Sequence, residues 1–201
     1  MRAATMITLG LASAAATSPI DANFRAGAHA HAQNIRAALL ANYDPMVPPA
    51  SDRAATGTQY SATGTDVAMQ VRFFKVLAVR ASEGIMQMKV WVRLQWRDDR
   101  LKWTPSSYGG LTTVRFKGQH ADSMVESEIW VPDIQPYNSA TGMFRSLDPS
   151  TIKVSSDGDC FYSRPGSLDV SCKFSGLVAF PRDNLTCAIE FGGWALSGGH
   201  Q

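Results

Sequence analysis

The chain has 201 residues, of which 45% are hydrophobic and 18% are charged, and its formal net charge at pH 7 is +2. This length suits one domain, alone or with a targeting segment, and the composition can build a hydrophobic core. The nearly neutral charge argues against a polyanionic partner such as a nucleic acid. Glycines and prolines are scattered along the chain, which favours many short strands joined by turns.

The amino-terminal segment, residues 1–22, resembles a secretory signal peptide. It has an early positive charge at Arg2, then a short, mildly apolar stretch and a run of small residues. The alternative is a disordered, alanine-rich leader. The sequence has no apolar run of about 18 residues or more, so we expect no transmembrane helix within this chain.

The first predicted regular element is a helix over residues 33–41. Ile35, Leu39 and Leu40 fall on one face of it at helical spacing. Pro45 disfavours helical backbone at the residue before it, so the helix is expected to end there. Residues 50–65 are rich in Ser, Thr, Ala and Gly and are predicted to form a loop.

The next segment, residues 67–78, alternates apolar and polar side chains with the period of a half-buried strand. The alternation slips near Phe73 and Phe74 and resumes at Val76, as a β-bulge would cause.

The clearest strand pattern follows, over residues 86–96. Apolar residues occupy every even position, and only Ile85 and Trp91 interrupt the polar side. Asp98 and Asp99 then stand between two arginines and are interpreted as a solvated turn.

Several motifs follow in the second half of the chain. Residues 128–133 read E-I-W-V-P-D, and residues 137–139 read Y-N-S. Fourteen residues separate Cys172 from Cys187, and they include the motif F-P-x-D at residues 180–183. The proline in that motif fixes φ and lacks a backbone donor, which indicates a turn.

These motifs resemble, in order, those of the ligand-binding domain of Cys-loop receptors, the pentameric ligand-gated ion channels, and of nicotinic-type subunits in particular. The family loop between the cysteines is one residue shorter. The resemblance extends from Leu39 to Trp194 and implies a ligand-binding domain over residues 33–201. The matching segments are V-W-V-R-L-Q-W at 90–96, W-V-P-D at 130–133, Y-N-S at 137–139 and F-P-x-D at 180–183.

The resemblance implies an all-β fold, an immunoglobulin-like Greek-key β-sandwich with a short amino-terminal helix. The sequence stops before the family's loop C, so we expect this sandwich to lack its final strands. A Cys172–Cys187 disulfide is also implied, and it would stabilise the fold by about 3 kcal/mol. Cys160 would then be left over, as a buried thiol in preference to a free or an intermolecular one.

The resemblance further implies a ligand site between subunits, where aromatic rings attract a cation. Tyr137 and Trp194 would form the principal face, and Trp96, Phe161 and Ser163 the complementary face of a neighbouring subunit. Two of these residues have structural alternatives. Trp96 also extends the apolar face of its strand, and Trp194 could cap a strand end after two glycines.

Trp130, Pro132 and Asp133 are interpreted as structural residues. A tryptophan packed under a proline turn would fix the chain that leads to Tyr137.

The resemblance gives the loop between the cysteines a coupling role, because in the family this loop passes ligand-induced motion to the channel. Phe180, Pro181 and Asp183 would carry that role. Asn184 begins an N-glycosylation sequon, Asn-Leu-Thr, in the same loop.

The sequence gives little support for catalysis. Of the four histidines, only His29 and His31 are closely spaced, and they lie near the amino terminus. No G-x-S-x-G, H-E-x-x-H or C-x-x-C motif occurs. We therefore expect no enzyme activity, no cofactor and no metal.

We predict part of the extracellular ligand-binding domain of a pentameric neurotransmitter-gated channel subunit, at the outer face of the plasma membrane. It would bind a small cationic agonist, such as a quaternary ammonium or an amine, between like or unlike subunits. Contact with the membrane would be made only by segments outside this chain. Two alternatives are a soluble, secreted protein resembling acetylcholine-binding protein and a truncated subunit that binds no ligand.

Overall fold

The computed structural model describes residues 19–49, 65–118, 127–141, 147–148, 150–174 and 186–193. Within these ranges it contains one α-helix and seven β-strands. They are α1 (Pro19–Leu40), β1 (Ala68–Arg80), β2 (Ile85–Arg97), β3 (Thr113–Lys117), β4 (Ile134–Pro136), β5 (Thr151–Ser155), β6 (Asp159–Ser171) and β7 (Phe191–Gly193).

The strands form two antiparallel sheets in a sandwich-like arrangement. The larger sheet has the order β1-β2-β6-β5-β3, and the smaller sheet pairs β4 with β7. A bridge between Ser139 and Val170 connects the segment after β4 to β6. The predicted all-β fold with an amino-terminal helix is confirmed.

The hydrophobic core lies on one face of the larger sheet. The even positions of β2 are 0–5% exposed from Met88 onward, so the predicted alternation of this strand is confirmed. Side chains of this size contribute about 1.5–3 kcal/mol each when fully buried. The neighbouring strands add further core side chains, including Phe116, Ile152, Tyr162, Leu168 and Val170.

Strand β1 confirms the predicted bulge but not the predicted burial. Its pairing with β2 shifts register after Phe73 and again after Val76. Phe73 pairs with Val90 and Val76 with Met88, so both lie on the core side of the sheet, yet they are 58% and 41% exposed. Because β1 is the outermost strand of the sheet, the described residues of the second layer do not cover it.

Helix α1 begins well before the predicted helix and ends one residue earlier, at Leu40. Pro19 suits a first helical position, and the alanine-rich sequence after it favours helix. The predicted apolar face is confirmed: Ile35 is fully buried, and Leu39 and Leu40 pack against the core. The helix starts inside the predicted signal segment, of which residues 1–18 lie outside the described ranges, as do loop residues 50–64.

Polar contacts also attach α1 to the sheet. The Arg36 guanidinium pairs with Glu128 and lies 5.0 Å from the centre of the Phe116 ring. His31 packs against Gly109, whose φ is +64°, and a Cβ there would lie 2.6 Å from the imidazole. The helices in the described ranges do not include a candidate membrane span.

The sequence suggested a solvated turn after β2, but only one of its two aspartates is exposed. Asp99 is exposed, with ion pairs to Arg97 and Lys102. Asp98, however, is 0% exposed and accepts hydrogen bonds from the Tyr43 hydroxyl at 2.6 Å and from Arg100 Nε at 2.9 Å. The solvated-turn interpretation is therefore wrong for Asp98, because the chain after α1 places Tyr43 over its carboxylate.

The hydrogen bonds around the buried Asp98 carboxylate extend through Tyr43 to Trp130 of the W-V-P-D motif. The Trp130 backbone N–H donates to the Tyr43 hydroxyl at 3.1 Å. Burial and the hydrogen bond to Asp98 raise the pKa of Tyr43 above its ordinary value. The hydroxyl thus stays protonated and joins the end of α1, the end of β2 and Trp130.

The cysteines are arranged as expected. Cys172 and Cys187 form a disulfide with a Cα–Cα distance of 5.2 Å. Cys160 is a buried free thiol, and burial raises its pKa, which keeps it in the unreactive protonated form.

Candidate ligand-binding site

Tyr137 lies directly after β4, against the backbone of β7. Its hydroxyl donates a hydrogen bond to the Gly193 carbonyl, and its ring covers Gly192. A Cβ at Gly192 would come within 2.5 Å of the ring, so a glycine is needed for this contact. The side chain is still 45% exposed, which leaves part of the ring open to a ligand.

Asn138 fixes the segment that carries Tyr137. Its amide nitrogen donates to the carbonyls of Ala188 at 2.8 Å and Ser171 at 3.1 Å, and its amide oxygen accepts from the Glu190 N–H at 3.0 Å. These bonds connect the turn to the end of β6 and to the chain leaving Cys187. Asn138 is the middle residue of the Y-N-S motif, and an asparagine in a turn is a common bridging residue.

Trp194 directly follows Gly193, the last residue of β7, and lies outside the described residues. The same is true of Phe180, Pro181, Asp183 and Asn184 in the disulfide loop. Their expected roles remain predictions.

Trp96 occupies a different place from the other expected ligand residues. It is 4% exposed, pairs with Cys160 and packs edge-on against Trp130, with ring centres 6.0 Å apart. Phe161 and Ser163 lie on the opposite face of the sheet, because neighbouring strand positions alternate between faces. The core alternative therefore fits Trp96, and a ligand contact does not.

Trp91 shares the outer face with Phe161 and Ser163. It is half-buried and pairs with Pro165, while Ser163 pairs with Arg93. The sequence carried the signal for Trp91, since it interrupts the polar side of β2. An aromatic residue at a solvent-facing position of a strand is a better candidate for ligand contact than one on its core face.

The outer face is also basic around Trp91. The Arg93 guanidinium lies 5.6 Å from the centre of the Trp91 ring, and its Nη1 is 3.5 Å from Oε1 of the Gln70 side chain. Its Nε is buried and has no hydrogen-bond partner among the described residues. The Arg93 guanidinium as a whole places donor nitrogens beside an aromatic ring, which suits a ligand carrying an acceptor oxygen.

The residues of the W-x-P-D motif lie where a structural role requires them. Trp130 is 6% exposed and Pro132 is buried, while Asp133 is half-buried. The Ile134 N–H donates to the Pro132 carbonyl at 3.0 Å, which turns the chain into β4. This placement supports the structural interpretation of the motif.

Comparisons with known proteins agree with this arrangement. Residues 32–200 match the family model described as neurotransmitter-gated ion-channel ligand binding domain. The chain is 30% identical over 156 residues to the neuronal acetylcholine receptor subunit eat-2 of Caenorhabditis briggsae, covering 78% of this chain and 29% of that protein. It is 32% identical over 164 residues to the acetylcholine receptor subunit alpha-type acr-7 of Caenorhabditis elegans, covering 80% and 28%.

A vertebrate relative shows the same pattern. The neuronal acetylcholine receptor subunit beta-2 of Gallus gallus is 30% identical over 152 residues, covering 76% of this chain and 28% of that subunit. The chain thus spans less than a third of the length of these relatives. Its match to the family model covers most of its own residues and includes every motif described above. The chain belongs to the neurotransmitter-gated ion-channel ligand-binding domain family, whose members are extracellular domains of ligand-gated ion-channel receptors and not enzymes.

Proposed function

We propose that this chain supplies the agonist-binding part of a pentameric, acetylcholine-receptor-type channel subunit, with the agonist bound between adjacent subunits. The observation that carries the proposal is the separation of two aromatic surfaces. Tyr137 belongs to the small β4–β7 layer, whereas Trp91 and Phe161 lie on the outer face of the large sheet. A site that uses both surfaces requires two subunits side by side, as in a ring with heterologous interfaces.

The expected agonist is a small ammonium compound that also carries an acceptor oxygen. Aromatic faces attract an ammonium group by about 0.5–2 kcal/mol per contact. Tyr137 offers such a face on the principal side, where Trp194 remains a proposed partner, and Trp91 and Phe161 offer it on the complementary side. Arg93 provides a donor for an ester or carbonyl oxygen. Acetylcholine, which the names of the relatives contain, has both groups.

Acetylcholine binding to the purified, assembled chain tests the proposal. We expect Trp91→Ala and Tyr137→Ala each to weaken binding about fivefold or more, which corresponds to the loss of about 1 kcal/mol per ring. The matched control is Tyr108→Ala, which removes an aromatic side chain from the turn at Pro105–Tyr108, outside both surfaces. Equal affinities for all four proteins, measured by calorimetry, would refute the proposed site.

Coupling to a channel is a further part of the proposal. Phe180, Pro181 and Asp183 would transmit motion from the agonist site, and Asn184 would carry a glycan. Two measurements, secretion and acetylcholine binding, separate the alternatives. A secreted protein that binds acetylcholine supports a soluble binding protein. A folded product that binds no acetylcholine supports a truncated subunit.

A further inference from the structure

An open pocket of about 410 Å³ lies on the outer face of β1 and β2. It is on the side of the sheet away from the core and is separate from the Tyr137 surface. Phe74, Lys75, Leu77, Lys89 and Trp91 line it. Its volume lies within the range of small-molecule sites.

The two bulges of β1 create the apolar part of this pocket. Phe73 pairs with Val90 and Lys75 with Lys89, so Phe74 has no direct partner in β2, and the second register shift does the same for Leu77. Both side chains line the pocket although they are 52% and 44% exposed. β-Bulges re-aim side chains in this way and often lie near functional sites.

Trp91 completes the apolar floor. The Phe74 and Trp91 rings pack edge to face, with a centroid distance of 4.6 Å and an interplanar angle of 74°. The two rings hold one another in a favourable T-shaped geometry. The floor is therefore ordered before any ligand arrives.

The rim of the pocket is cationic. Lys75 and Lys89 are directly opposite one another on adjacent strands, and like charges in that position are unfavourable. In the part of the chain that the structure describes, no carboxylate forms an ion pair with either lysine. Arg72, opposite Trp91, extends the positive rim. An anion between the lysines would relieve their repulsion.

We propose that this pocket binds a small amphipathic carboxylate. Its alkyl or aryl part would lie on Phe74, Leu77 and Trp91, and its carboxylate between Lys75 and Lys89. The charge required is opposite to that of the proposed agonist, so this is a second, distinct site. Trp91 borders both sites, which gives a carboxylate ligand a direct path for modulating agonist binding.

Decanoate and decyltrimethylammonium are matched probes, because they share an alkyl chain and differ in head-group charge. Calorimetric titration of the 201-residue chain, below the micelle concentration of each probe, should show saturable binding of decanoate only. The double substitution Lys75→Gln with Lys89→Gln should weaken decanoate binding about tenfold, from two partly exposed ion pairs. Lys153→Gln removes an exposed lysine of the same sheet, in β5, and should leave binding unchanged.

The proposal would be overturned by equal binding of the two probes, which indicates only an apolar patch, or by wild-type affinity in the double variant. Absence of decanoate binding would also overturn it. If in that case the chain self-associates and Phe74→Ser abolishes the association in sedimentation, the occupant is a second copy. Acetylcholine binding is scored separately on Trp91→Ala and Tyr137→Ala, so failure of one proposal is distinguishable from failure of the other.

Discussion

Asp98 is the residue whose removal should destabilise this fold most clearly. Its carboxylate is fully buried and accepts hydrogen bonds from the Tyr43 hydroxyl, from the Arg100 backbone N–H at 3.1 Å and from two nitrogens of the Arg100 guanidinium at 2.9 and 2.8 Å. Asp98→Ala removes all of these acceptors at once. It also frees the hydroxyl that accepts from the Trp130 N–H.

The loss of stability in Asp98→Ala depends on the Arg100 charge that is left without its partner. Breaking a buried ion pair by removing one partner costs about 3–5 kcal/mol, because the other charge is left uncompensated. The Arg100 side chain is 33% exposed and can be rehydrated, so we expect the lower end, about 3 kcal/mol. That is a large part of the 5–15 kcal/mol typical of a folded domain.

Urea unfolding followed by tryptophan fluorescence measures this difference. Asp99→Ala is the matched control, since Asp99 is the adjacent aspartate and its ion pairs with Arg97 and Lys102 are exposed. Its substitution should move the unfolding midpoint little, because exposed ion pairs contribute little. If Asp98→Ala destabilises no more than Asp99→Ala, the reasoning about the buried carboxylate is refuted.

Three further predictions concern other parts of the molecule. Gly192→Ala should weaken acetylcholine binding as Tyr137→Ala does, because the new methyl group displaces the Tyr137 ring; unchanged affinity in calorimetry would contradict this. Burial raises the pKa of Glu128, but the Lys117 N–H and Arg36 outweigh it and hold that pKa below its usual range. Glu128→Gln should therefore lower stability at neutral pH, and the difference from the wild type should vanish as pH falls below about 4.3 and through the depressed pKa. A constant difference in urea midpoint down to acidic pH would count against it. Arg93→Gln should raise affinity for tetramethylammonium, which lacks an acceptor oxygen, because a competing cation leaves the Trp91 ring. A lower affinity would show that Arg93 does not compete.

The fold could be predicted well where the sequence has a period. The alternation along β2 identifies the core face, and the slip in β1 identifies the bulge, because side chains of a strand point alternately to two faces. The start of α1 could not be placed, since an alanine-rich segment is compatible with helix without an apolar stripe to mark it. The burial of Asp98 depends on Tyr43, more than fifty residues away, which no local pattern can show.

For the candidate site, too, some residues are indicated by the sequence and others only by the structure. Tyr137 is predicted from a motif that also fixes its surroundings through Asn138. The motif relates Trp96 to the ligand, whereas its even position in β2 indicates the core face, the alternative that its burial fits. Trp91 was visible as an exception to the polar side of the strand. Its association with Phe161 and Ser163 became clear only from the register of β2 with β6.

The most direct test of the proposed interface site is a mixing experiment with two variants of weakened affinity. Tyr137→Ala and Trp91→Ala are prepared separately, and acetylcholine binding is measured for each and for their co-assembled mixture. If one site uses Tyr137 of one subunit and Trp91 of the next, each variant alone binds weakly. The mixture then regains wild-type affinity at about a quarter of the sites, as expected for random assembly of a ring with heterologous interfaces. A mixture that regains no high-affinity sites would contradict the interface.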